Sequence, residues 1–140
     1  MDTWVVYAFL AALFAAAVAV FGKIGVTGID PTAATAVRSV VMTIFLAGAT
    51  VALGKVSLLR QVSGRELLYV VLSGVAGALS WLFYFWALRS GPATGVAAID
   101  RLSVVLVLIL AAVFLQEPWS WRTATGALLV TAGAVLISIG

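Results

Sequence analysis

The 140-residue sequence has no cysteine, no histidine and little charge: eight Lys and Arg against five Asp and Glu. Without cysteine there is no disulfide framework, no thiol nucleophile and no thiolate metal ligand. Without histidine the commonest general base and the commonest transition-metal ligand are missing as well. What remains does not assemble a nucleophile–base pair or a metal cluster. No catalytic residue, metal or cofactor is therefore expected, and the chain is not read as an enzyme. Charged residues make up 9% and hydrophobic residues 64% of the sequence, against about 25% and about 45–50% in soluble domains. So few polar groups cannot cover the surface of a water-soluble globule. The mean hydropathy of +1.23 points the same way. A net charge of +3 gives a pI near 9.8, but the cations are scattered over loops without a cluster, which argues against nucleic acid as a partner. The composition specifies an integral membrane protein, partnered by lipid.

Runs without charge place the helices, because about 20 apolar residues cross the hydrocarbon core. Five such runs predict an all-α integral membrane fold of five transmembrane helices, at about 3–25, 31–54, 64–89, 93–115 and 121–140. Short loops join them into a single membrane domain over 1–140. The first run is preceded by Asp2 and by no Lys or Arg, the opposite of a secretory leader, so it is read as a retained span. Trp4 and Tyr7 stand at its start, where amphipathic rings favour the headgroup layer. Asp30 followed by Pro31 predicts a capped helix start, and Ser63-Gly64-Arg65-Glu66 has the form of a capping box. Between them, the basic, half-apolar segment from Lys55 to Val62 is expected to lie on the membrane surface, its cations near lipid phosphates.

Five spans put the two termini on opposite sides. Loops on the N-terminal side carry Lys55, Arg60, Arg65 and Arg122, and those on the other side carry Lys23 and Arg89. Four cations against two favour an N-terminus in the cytoplasm and a location in the cytoplasmic membrane. The bias is small enough to allow insertion in both orientations.

Charges inside spans are the candidate functional residues. Arg38 lies seven residues beyond Pro31, about 10 Å below the membrane face opposite the N-terminus; Asp100, eight residues beyond Pro92, and Trp81, eight before Arg89, lie about 12 Å below that face. An isolated charge at this depth costs several kcal/mol, so Arg38 and Asp100 are expected to pair or to share a wet cavity. Two readings stay open. The pair is a clamp that fixes helix packing, or it marks a substrate pathway. Arg101 leaves the level with a net positive charge, which favours an anionic or zwitterionic ligand over a cation. Trp81 and Tyr84 share a helical stripe that would line a cavity. The candidate substrate-binding residues are thus Arg38, Asp100, Arg101, Trp81 and Tyr84. Lys23 sits near the surface and is read as snorkelling. In the last span, Thr123, Ala127 and Thr131 form a small-residue ridge that suggests a subunit contact.

The segments Phe21-Gly22-Lys23-Ile24-Gly25-Val26, Asp30-Pro31-Thr32-Ala33-Ala34-Thr35-Ala36-Val37-Arg38, Ile99-Asp100-Arg101-Leu102-Ser103 and Phe114-Leu115-Gln116-Glu117, with the glycine-bearing last helix, carry a resemblance. In their order and spacing they resemble one EamA unit of the drug/metabolite transporter superfamily, over essentially the whole chain. Members of that family join two such units in inverted orientation, ten spans around a central cavity. The resemblance therefore implies that this chain is one half of a ten-helix inverted-repeat transporter. It implies a secondary carrier of small polar metabolites, an exchanger or facilitator, working by alternating access as an antiparallel homodimer. The small multidrug resistance proteins of the same superfamily assemble so, but the first span here lacks the acidic residue they use for proton coupling. Asp100, with Arg101 as its immediate neighbour, is a poor substitute, so the resemblance does not extend to proton coupling. Two other classes fit the residues: a small dual-topology ion channel, and an accessory or scaffold subunit.

Overall fold

The computed structural model describes residues 2–140, and among them there is no strand. The helices are α1 (Thr3–Gly25), α2 (Pro31–Ala52), the single turn α3 (Val56–Leu59), α4 (Gly64–Ser90), α5 (Ala93–Asp100), α6 (Ser103–Leu110) and α7 (Trp121–Ile139), with a π-helical turn over Ala111–Leu115. Five segments are long and apolar enough to cross a membrane, the fourth being α5, α6 and the π turn taken together. The expectation of an all-α chain with five spans is met.

Helix ends follow local chemistry. Asp30 caps α2 as its sequence position predicts: its Oδ1 accepts from the N–H groups of Thr32 at 2.8 Å and Ala33 at 3.2 Å, with Pro31 in the first turn. Ser120 caps α7 by accepting from the Thr123 N–H. The capping box expected at Ser63 and Glu66 does not form. Gly64 takes a left-handed φ of +61°, which turns Ser63 away from the first turn, and among the described residues no hydrogen bond joins Ser63 to Glu66. Gly54, at φ +66°, ends the α2 region in the same conformation, so left-handed glycines flank the α3 connector on both sides. The fourth span ends on Gln116 at φ +54°, a left-handed stop usually given to glycine.

Contacts divide the chain into two compact units. One comprises the chain up to Phe21 with Ser90–Gly140; the other comprises Gly22–Arg89. In the first, α7 packs on α5 and α6. The buried residues there are small, namely Ala19, Gly95, Ala98, Ala111 and Ala134. A Cβ on Gly95 would meet Pro92 Cγ at the tight distance of 3.3 Å and Ser138 Cα at an ordinary contact distance of 3.9 Å, so α5 and α7 approach closely there through small residues. Ala127 and Thr131 are half-buried and lie in helical register with buried Ala134.

In the second unit the packing is concentrated at one end. Val26 and Leu88 are fully buried, and Pro31, Ala34, Thr35 and Phe85 are buried around them. All lie toward the membrane face opposite the N-terminus. Lys23 Nζ donates to the Leu88 carbonyl, placing a cation at the C-terminal end of α4, where the helix dipole favours it. Asp30 Oδ2 lies 3.9 Å from Arg89 Nη1. Beyond Arg38, by contrast, α2 has no buried residue, and neither has α4 before Phe85.

Asp30 has a titration signature. The Ala33 N–H bond, then the Thr32 bonds and the Arg89 charge, hold its carboxyl below the ordinary carboxylate value. A depressed folded-state pKa stabilises the fold above the unfolded pKa, and that stabilisation is lost as pH falls through the folded value. Unfolding followed by circular dichroism should therefore show the chain losing stability below about pH 4. Asp30→Asn, which retains a good cap but cannot titrate, should flatten that part of the profile.

Candidate functional site

Each candidate residue is delivered by a different local device. Arg38 projects from α2 two turns past the Asp30 cap. Its Cζ lies 3.7 Å from the centroid of the Trp81 ring on α4 and 6.0 Å from that of Phe85. Trp81 is held edge-to-face by Tyr84 at 5.3 Å and by Phe85 at 6.2 Å, and Phe85 is itself buried. Spacings of three and four along α4 put these rings on neighbouring turns of one face. The cation is thus carried on an aromatic platform anchored in the core of its unit. Cation–π contact of this kind is worth about 0.5–2 kcal/mol, depending on desolvation.

Asp100 and Arg101 stand where the fourth span changes its winding. Arg101 N–H bonds the Ala98 carbonyl, Leu102 that of Ile99, Val104 that of Arg101 and Val105 that of Leu102, all in i→i−3 register. Between α5 and α6 the helix tightens from α to 3₁₀ winding, an arrangement found at hinges and strained functional positions. Discontinuous helices carrying charge near the membrane centre are also where transporters build substrate and ion sites. The carboxylate and guanidinium lie 3.8 Å apart, with 38% of the Asp100 side chain and 53% of the Arg101 side chain exposed. Arg101 also borders an open groove of about 500 Å³, lined otherwise by small residues such as Ala12, Ala16, Thr94 and Ala98.

Of the candidates, the structure joins Arg38 to Trp81, Trp81 to Tyr84, and Asp100 to Arg101. Arg38 belongs to one unit and Asp100 to the other, and each has a partner within its own unit. One feature of α2 was not read from the sequence. Thr35, Ser39 and Thr43 follow one another at intervals of four, and each hydroxyl donates to the carbonyl one turn back: Pro31 at 2.7 Å, Thr35 at 2.9 Å and Ser39 at 2.9 Å. With their protons committed, these oxygens offer lone pairs, making a row of acceptors down one flank of the helix that carries Arg38. The four-residue spacing of hydroxyl residues was the available signal.

The profile described as the EamA-like transporter family matches residues 2–139. A curated Sinorhizobium protein, named as an uncharacterized transporter in the cobO 3′ region, is 39% identical over 138 residues, covering 99% of this chain and 98% of that protein. No solved structure matches the chain.

Proposed function

The chain belongs to the EamA-like transporter family and is a membrane transporter; from that premise we propose that it is a secondary carrier of small polar metabolites in the cytoplasmic membrane. As a single five-helix domain over 1–140 it acts as an exchanger or facilitator, by alternating access, in an antiparallel homodimer. Arg38, Trp81, Tyr84, Asp100 and Arg101 meet the substrate, which is anionic or zwitterionic.

The observation that carries this reading is the position of charge within spans: an arginine seated on Trp81, and an Asp–Arg pair at the break in the fourth helix. Charges at such depth are costly unless they serve a pathway or a partner. The homodimer is supported by two further points. Alternating access needs two halves around a site, and the match to the Sinorhizobium relative covers 98% of its length, so that transporter has the length of one unit. The second point is that the charged side chains at this level are partly exposed within the chain, which a second copy would enclose.

The test is counterflow. The purified full chain in liposomes preloaded with lactate should take up labelled lactate saturably and faster than liposomes without internal lactate, and should leave the quaternary amine choline outside. Preference for choline would overturn the ligand charge, and conductance far above carrier turnover would make the chain a channel.

A further inference from the structure

We propose that Arg38 and Trp81 form a carboxylate-selective seat, so that the substrate of the carrier proposed above is an organic monocarboxylate rather than a phosphate monoester or a sulfonate. The inference rests on that carrier reading for its biological role, but its geometry stands on the second unit alone. At 3.7 Å from the ring centroid, the guanidinium carbon is in contact with the indole face. An edge-on approach, with an N–H aimed at the ring, would hold that carbon one C–N bond farther away, so the group lies flat. Tyr84 and buried Phe85 pack edge-to-face with Trp81 and support the platform.

A flat guanidinium directs all five N–H donors outward in its own plane. Among the described residues, no hydrogen bond or ion pair inside its unit takes them up. A coplanar acceptor with two oxygens meets this fork bidentately, which is carboxylate geometry. A tetrahedral oxyanion also reaches a guanidinium through two oxygens, but it carries at least one more out of that plane, where the fork offers it no donor. Charge decides further. Arginine with a monocarboxylate makes a neutral pair at a depth where net charge is expensive, whereas a phosphate monoester near neutral pH carries close to two charges and leaves one uncompensated.

The experiment measures binding to the full chain in lipid nanodiscs by calorimetry, with probes sharing one ring: benzoate, benzenesulfonate and benzylamine. Benzoate is expected to bind about tenfold more tightly than benzenesulfonate, the equivalent of about 1.4 kcal/mol, and benzylamine not at all. Arg38→Lys keeps the charge but loses the fork, and should erase the preference for benzoate over benzenesulfonate. Trp81→Phe should retain the preference and Trp81→Ala weaken it, with circular dichroism confirming helix content throughout. Equal affinity for benzenesulfonate, no binding of benzoate, or a preference untouched by Arg38→Lys overturns the seat. Lactate counterflow separates the two proposals. Arg38-dependent benzoate binding without counterflow removes the carrier and leaves the seat, whereas counterflow indifferent to Arg38→Lys removes the seat and leaves the carrier.

Discussion

Replacing Arg38 with glutamine is expected to lower lactate counterflow by about 300-fold, the middle of the 2–5 kcal/mol that truncating one partner of a buried charge pair costs. Glutamine keeps two donors and most of the length, so the loss reports the charge and the fork rather than a cavity. Its neighbours set the scale. Trp81→Ala removes a cation–π contact worth about 0.5–2 kcal/mol and should cost only about twofold to thirtyfold, because the guanidinium survives but loses its orientation. Arg89→Gln is the control. That arginine faces Asp30 at 3.9 Å with more than half of both side chains exposed, and exposed pairs contribute little, so its counterflow should stay near the native rate. Native activity in Arg38→Gln, with intact helix content, would place the substrate path elsewhere.

How far these residues were readable in advance follows from what a sequence encodes. Depth is legible: a rise of 1.5 Å per residue from a known helix end puts Arg38 and Trp81 at one level, and they do stack. Azimuth is not. Asp100 was placed at the same depth by the same count, and nothing in the spacing says which way each helix is turned. The partner expected for Arg38 was therefore a carboxylate, and the one observed inside its unit is an indole ring. The Asp30–Pro31 cap was legible because its chemistry is local, whereas Ser63 failed because Gly64 adopted a left-handed φ that glycine permits but does not announce. The 3₁₀ winding beside Asp100 was missed for a similar reason. A shift from i→i−4 to i→i−3 bonding changes the backbone torsions only slightly and leaves no mark on residue type. The ridge on α7 shows the limit of composition: small residues indicate that something comes close, not what comes close.

The orientation of the chain in the membrane gives the other large effect. With four loop cations on one side and two on the other, the bias is weak, and both orientations should be populated. Because the sequence has no cysteine, Ser57→Cys in the α3 connector and Gly28→Cys in the α1–α2 loop report opposite faces. On intact cells each should react with an impermeant maleimide in only a fraction of the molecules, the two fractions summing to about one. Charge edits then separate the populations. Ser57→Arg with Gln61→Arg makes the loop count six to two; Lys55→Gln, Arg60→Gln, Thr27→Arg and Ile29→Arg together make it two to four. Each variant alone should insert one way and lose counterflow almost entirely, since copies of one orientation cannot supply the inverted half. Expressed together, they should regain it. The restoration discriminates, because damage to folding by added arginines would not be repaired by a second damaged chain. Full activity from either variant by itself, with labelling from one side only, would mean that a parallel assembly or a single copy does the work.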